Sequence, residues 1–371
     1  MFYAMIKMSM SMLMLMLMLT TTAVFAFSFY GNDYNNYRYL TSLKLSSSSL
    51  SEYYGLPRLC YSNDDNVVFA EGVKVALNKD QSHYLGTVLR KKKVGMKVRL
   101  FQPNHDEWLV QISELDKSLI SVECLQPIRT SNGQWIGNDM ETTVTTAASK
   151  QPWLFFVPIQ SKSRLKFLLE KCTELGVSRF IPIGSNRGHV PTLQSIQTSQ
   201  QSSSDDESPT DIMYRSSNTK KKKNKNEKYT SILIEASEQC ERMTIPILSN
   251  QLQNEHTISN LEELLEYWSK NNNDCNNNIL YICRERKSSS LLTSIVNNQQ
   301  QVGFVIGPEG GWSPEEEELI QDYCQSYPQI IQGISLGNSI LRAETAAILA
   351  IGTYSLLSQQ QQQQQNDEIS S

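Results

Sequence analysis

The 371-residue chain contains no CxxC pair, no HExxH spacing and no glycine-rich loop ending in Gly-Lys-Ser or Gly-Lys-Thr. The first two absences leave seven scattered cysteines and four histidines with no arrangement that proposes a metal. An odd cysteine total without paired spacing points to reduced thiols in a reducing compartment, not to a disulfide framework or a zinc site. The third absence removes the usual cradle for a nucleoside triphosphate. Positive charge is scarce overall: 34 Lys and Arg against 38 Asp and Glu give a net charge of −4, which does not advertise nucleic-acid binding. Local basicity is the better clue, with Arg90, Lys91, Lys92 and Lys93 clustered at one place. A long apolar span is missing too. The Met/Leu run at 8–19, preceded by Lys7, is too short to cross a bilayer comfortably and has the shape of a signal-peptide core. Val24-Phe25-Ala26 offers a cleavage site, and residues 27–54, rich in Ser, Tyr and Asn and poor in acids, read as a transit segment.

What is present divides the chain. Its length has room for two domains with tails to spare. Behind the presequence at 1–55, residues 56–128 carry the short alternating runs VKVAL, MKVRLF, EWLVQI and LISVECL. That is the period of half-buried strands, with turns at Pro103-Asn104 and around Asp116 and one helical piece at 83–90, and it predicts a small β-barrel. Residues 129–150, rich in Thr, Ser and Gly, read as a linker. From 151 to 358 strands alternate with helices: LFFVPI, a helix at 163–175 closed by Gly176, RFIPIG, helices at 229–242 and 261–269, and a strand at 279–283. Such alternation predicts an α/β domain with a parallel sheet covered by helices. Residues 192–228, full of Gln, Ser and Asp and ending in lysines, bury too little apolar surface to fold and read as a disordered insertion. Residues 359–371 form a low-complexity tail.

The C-terminal part holds the strongest chemical signal. VGFVIGPEGGWSPEEEELI (302–320) and ISLGNSILRAETAAILAIG (334–352) each read as strand, glycine turn and helix. Two such units suggest a small-molecule site made of loops at the ends of parallel strands. The helix after the first turn opens with Ser313-Pro314 and the carboxylates of Glu315, Glu316, Glu317 and Glu318. Acids there satisfy the positive helix end, so a neutral or cationic ligand is expected before a phosphate.

GPEGG, LG and LRAETA, in this order, resemble the RsmE family. LPRLC (56–60), HYLGTVLRKKKVG (83–95), KFLLEKCTELGVSRFIPI (166–183) and ILIEASEQCER (232–242) resemble its further motifs, so the likeness runs from about residue 56 to about residue 357. The resemblance implies a SPOUT methyltransferase domain, with a trefoil knot forming the cofactor pocket, preceded by a PUA-like RNA-binding barrel. It implies S-adenosylmethionine-dependent methylation of a uridine N3 in small-subunit (16S-type) ribosomal RNA, and a homodimer. The partner would be that RNA or the assembled small subunit. Combined with the signal-plus-transit presequence, it points to a plastid ribosome, with the mitochondrion as the alternative and no membrane contact after processing; family members without a presequence are cytoplasmic. A catalytically silent RNA-binding assembly factor is the competing reading.

The resemblance also implies roles. Gly307, Pro308, Glu309, Gly310 and Gly311 would form one cofactor loop, and Leu336, Gly337, Ile340 and Leu341 a second. Ile282, with Cys283 and Arg284, stands in the place of a third. Arg342 and Glu344 are the catalytic candidates. A guanidinium can hold the uracil oxygens through paired donors, and Glu344 would orient it, act as the base, or simply pair with it at the surface. Asn338 would contact the substrate base or merely shape the turn. Arg187 is a candidate for RNA, as are His83, Arg90, Lys91 and Lys92, by charge rather than base readout. Glu238 and Arg242 are further substrate-side candidates, although their i, i+4 spacing would equally let them pair. Family members usually carry arginine where this chain has Ser339, and many carry glutamate in the place of Asn186.

Overall fold

The structure, a computed structural model, describes residues 51–61, 67–90, 93–116, 119–136, 151–188, 225–252, 256–271, 278–284, 290–291 and 301–370. Met1–Pro57 and Arg58–Ser371 are separate units. In the first, the described residues form one helical turn, Ser51–Tyr54; the expected signal and transit segments, up to residue 50, lie outside the described residues.

The alternating runs do become strands. β1 (Arg58–Cys60), β2 (Lys74–Ala76), β3 (Lys97–Phe101), β4 (Glu107–Leu115) and β5 (Ile120–Arg129) form one sheet in the order β1-β3-β4-β5-β2. β1 runs parallel to β3, and the other pairs are antiparallel. Val98, Leu100, Val110, Ile112 and Val122 point to one face and make its core, as the two-residue period requires. The helical piece begins earlier than the sequence suggests. Asn78 and Gln81 close a capping box that starts α1 (Lys79–His83), which widens into a π-helical turn at Tyr84–Val88. The expected linker also starts later: β5 reaches Arg129, and Trp135 bridges back to it.

The second sheet has seven strands: β6 (Trp153–Phe156), β7 (Arg179–Pro182), β8 (Ile247–Leu248), β9 (Ile279–Cys283), β10 (Ser290–Leu291), β11 (Val302–Ile306) and β12 (Ile331–Ser335). All pairings are parallel, in the order β10-β12-β9-β11-β6-β7-β8. Successive residues face opposite sides. Leu154 and Phe156 pack in a core with α2 (Lys162–Glu174), α3 (Lys225–Gln239) and α6 (Ala343–Ser370). Phe155 and Val157 pack in the other, with α4 (Leu261–Lys270) and α5 (Pro314–Ser326). This is the layered α/β arrangement the alternation predicts. Gly176, at φ +103°, ends the turn after α2 as expected.

Two boundaries differ. α3 begins at Lys225, within the expected insertion, because Tyr229, Ile232, Leu233 and Ala236 supply a buried helical stripe that draws the preceding polar turn into register. α6 runs to Ser370 through the glutamines that read as a tail; glutamine is a good helix former, and a packed helix propagates into it at little cost.

The small sheet is tied to the end of α3 by charge. Buried Glu107 takes Nε–H bonds from Arg58 (3.0 Å) and Arg99 (2.8 Å). Arg58 also donates to the carbonyls of Ser237 (2.9 Å) and Arg242 (2.7 Å). Arg99 reaches Glu241 at 2.8 Å.

Candidate active site

β11 ends at Ile306 and the chain turns through 307–312. A Cβ on Gly307 would lie 2.8 Å from the Trp312 ring, so only glycine fits against the indole. Gly311, at φ +71°, uses the left-handed region that glycine enters without strain. Ser313 then caps α5, with Pro314 in the first helical position. The acids behind it are put to specific use. Glu316 folds back, accepting from the Ser313 N–H (2.8 Å), the Asn186 N–H (2.9 Å) and the Ser185 hydroxyl (3.1 Å). Asn186 Nδ2 donates to Ser313 Oγ (3.1 Å), and Arg187 Nη1 to the Gly310 carbonyl (3.1 Å). Glu317 accepts from Arg284 Nη2 at 2.6 Å. Glu315 is hydrogen-bonded to Ser313 as well, so three of the four carboxylates have protein partners.

β12 leads into the second loop, 336–342. Gly337 sits at φ +114°, its N–H donating to Ser335 Oγ (3.3 Å). Arg342 precedes α6, and its carbonyl accepts the first helical bond, from Ala346 N–H (2.8 Å). Its side chain is exposed, and among the described residues no ion pair engages it. The expected surface pair with Glu344 is not made. Glu344 is only 6 % exposed, and its Oε2 lies 3.7 Å from Arg164 Nη1.

These loops sit side by side because β12, β9 and β11 are neighbours whose C-terminal ends point the same way, the place where open α/β sheets take ligands. They enclose a cavity of about 750 Å³, within the usual range for small-molecule sites. Gly307, Pro308, Glu309, Gly310, Gly311, Leu336, Gly337, Ile340, Leu341 and Arg342 all line it, with Arg187, Cys283 and Arg284. Burial pushes the Cys283 thiol up to about 12, so it offers no thiolate nucleophile near neutral pH. Ile282 is fully buried behind the wall, and neither Asn338 nor Glu344 is among the lining residues.

The remaining candidates are not brought to the cavity. Glu238 accepts the Cys60 N–H at 2.7 Å, and burial raises its carboxyl to about 7. Arg242 lies beyond the end of α3, donating to the carbonyls of Thr173 (2.8 Å) and Val177 (2.7 Å), so the two do not pair. Both join elements rather than face the cavity, because their polar atoms are taken by backbone groups. His83 and Arg90 are exposed on the small sheet's helical turn, Arg90 at φ +54°; Lys91 and Lys92 lie outside the described residues.

Among the lining residues that sequence reasoning missed, Arg164 and Trp312 matter most. Arg164 reaches in from the first turn of α2 and pairs with Glu309. A cation at a helix start opposes the helix dipole, and that broken local rule was the available signal. Trp312, the packing partner of Gly307, carried none. Ionic balance also differs from expectation. Four arginines (164, 187, 284, 342) face two glutamates (309, 317) in the lining, because the acids of α5 are folded away or paired. The lining therefore carries more arginine than glutamate, a balance the acid-rich sequence of this turn did not show. Among the described residues no group of His, Cys, Asp and Glu is placed to hold a metal, and no helix is long and apolar enough to cross a membrane.

Residues 209–355 match the family model described as an RNA methyltransferase domain. Ribosomal RNA small subunit methyltransferase E of Rickettsia conorii is 29 % identical over 293 residues, covering 79 % of this chain and 93 % of that protein. The chain is thus similar to an RNA methyltransferase domain over that segment and to a small-subunit ribosomal RNA methyltransferase over most of its length. Solved structures agree in fold. The Neisseria gonorrhoeae methyltransferase E, bound to S-adenosyl methionine, has a TM-score of 0.54 at 22 % identity, covering 81 % of this chain and 98 % of its own. A putative methyltransferase from Legionella pneumophila, in complex with the same cofactor, gives 0.54 at 20 %, covering 82 % and 98 %. A probable rRNA methyltransferase from Porphyromonas gingivalis gives 0.54 at 17 %, covering 82 % and 99 %. The matched domain model begins beyond β7 and ends inside α6.

Proposed function

We propose that this RsmE-like protein methylates N3 of a uridine in small-subunit ribosomal RNA, using S-adenosylmethionine. The observation that carries the reading is the glycine-walled cavity between the loops that follow β9, β11 and β12. Its walls suit an adenosyl group: Gly307 and Gly311 bring bare backbone to the surface, and Leu336, Ile340 and Leu341 add apolar contact. S-adenosylmethionine, when bound, supplies an electrophilic methyl group on a sulfonium.

The chain's own work is to hold uracil in line and stabilise the anion left when N3 loses its proton. Arg342 suits that role, since it lines the cavity, exposed and without a carboxylate partner among the described residues. Arg187, on a loop pinned by Glu316, suits the RNA backbone. Glu344, held by Arg164 behind the lining, fits a positioning role better than that of base. Asn338 and Ser339 are exposed on the same loop, with Ser339 in the lining; the surrounding arginines keep that rim cationic where relatives carry one more.

Finer points of the reading have separate support. The small sheet, with His83, Tyr84 and Arg90 exposed on one turn, suits an RNA-binding module of the PUA-like kind. The late insertion of β11 between β9 and β6 is consistent with a knotted crossing. A homodimer is supported by Phe167 on α2 and by Leu349 and Leu356, one heptad apart on α6, exposed at 46, 41 and 65 %. The plastid ribosome rests on the presequence alone.

The reading is tested by incubating the protein with labelled S-adenosylmethionine and small ribosomal subunits lacking the modification. Label in the small-subunit RNA is expected. Tight subunit binding with no label transferred would favour the silent assembly factor.

A further inference from the structure

Arg164 belongs to none of the loops that make the cavity, yet it touches two of the segments around them. It projects from the first turn of α2, the helix after β6. Its Nη1 pairs with Glu309, in the loop after β11, and lies 3.7 Å from Glu344, in the first turn of α6. Glu344 is nearly enclosed, and its Oε2 accepts no hydrogen bond among the described residues. A buried carboxylate oxygen without a hydrogen bond is a desolvated polar atom whose cost a nearby cation offsets. Arg164 is that cation, and it is shared: the guanidinium has several donors on one rigid plane, which a lysine ammonium lacks.

We infer that Arg164 is a positioning residue of this site, acting through Glu309 and Glu344 to lock the GPEGG loop and the start of α6 into one wall. Arg342 stands two residues before Glu344, and Gly310 and Gly311 directly follow Glu309. One side chain thereby sets the distance between the backbone that would receive the methyl donor and the arginine that would face uracil. As to which reaction it serves, the inference rests on the methyltransferase reading; the mechanical coupling does not.

The test compares Arg164→Ala, Arg164→Lys, Glu309→Gln and the Arg164→Ala/Glu309→Gln double variant. Amide hydrogen exchange at 309–311 is followed without ligand, alongside S-adenosylmethionine affinity and single-turnover methyl transfer. Arg164→Ala is expected to speed exchange in that loop. A misplacement of about 1 Å can lower rate about a hundredfold, so single-turnover transfer should fall by about that factor while affinity falls by only about tenfold. Lysine should recover part of the loss, as it can meet one carboxylate but not bridge both. The double variant should be no worse than Arg164→Ala, since both remove one coupled pair. Wild-type exchange in Arg164→Ala, or losses that simply add in the double variant, would overturn the inference. A general structural role would instead lower thermal stability and leave affinity and transfer reduced in equal proportion. If the wild type neither binds S-adenosylmethionine nor transfers methyl, the functional reading fails, and loop exchange alone still decides the coupling.

Discussion

At the scale of single residues, Arg342 and Glu238 are both charged groups on short polar stretches, and their surroundings send them in opposite directions. Arg342 is exposed at the cavity without an ion pair among the described residues. Removing one preorganised donor to a developing anion lowers kcat by about 10²–10³, so Arg342→Ala should lose methyl transfer on that order while keeping its affinity for S-adenosylmethionine. Equal loss of affinity would assign Arg342 to the donor instead. Glu238 is enclosed where small sheet and helix meet, and burial raises its carboxyl from 4.5 to about 7. The folded state then holds a proton that the unfolded state releases between those values. Stability therefore falls as pH rises through that window, and the penalty is complete above about 7. Glu238→Gln, which keeps an acceptor for the Cys60 N–H, should gain stability over wild type from pH 5 to 7; denaturant titrations at several pH values check it, and a constant difference would refute it. The sequence showed both residues as candidates for one site. It could not separate them, because burial and backbone partners come from segments far away in the chain, such as Cys60 for Glu238 and Val177 for Arg242.

Turns and caps were the legible scale. Gly176, Gly311 and Gly337 stand at positive φ where the sequence placed glycine turns, and Ser313-Pro314 opens a helix as that pair predicts. Local rules suffice there, since a turn needs only its own residues. They fail for Glu316, whose carboxylate leaves the helix face to hold Asn186 and Ser185, and for the glutamines that α6 carries on as helix. Ser313→Ala removes the capping acceptor and should cost about 1 kcal/mol, with faster amide exchange at Asn186 because its Nδ2 donor loses Ser313 Oγ. Unchanged exchange there would mean that Glu316 alone holds the loop. Gly307→Ala should be folded but poor in binding S-adenosylmethionine, as its methyl group would meet the Trp312 ring at 2.8 Å; calorimetric titration distinguishes this from wild-type affinity.

Across the whole molecule, the alternation of strand and helix announced the parallel sheet, whereas its order could not be read. β11 enters between β9 and β6 and β12 beyond β9, and that order brings three loops around one cavity. Pairing order depends on contacts between distant segments, and hydrophobic period carries no record of them. The exposed apolar stripe on α2 and α6 makes a prediction at this scale: Leu356→Glu should shift the protein from dimer to monomer in sedimentation, and a wild-type monomer would remove the proposed assembly. The central claim, methyl transfer to uridine N3 from the glycine-walled cavity, is tested most directly by the identity of the product. Small subunits lacking the modification would be treated with labelled S-adenosylmethionine and the protein, and their RNA digested to nucleosides. The label should elute as 3-methyluridine with the wild type and be nearly absent with Arg342→Ala. Label in a ribose-methylated nucleoside or another base would contradict the claim.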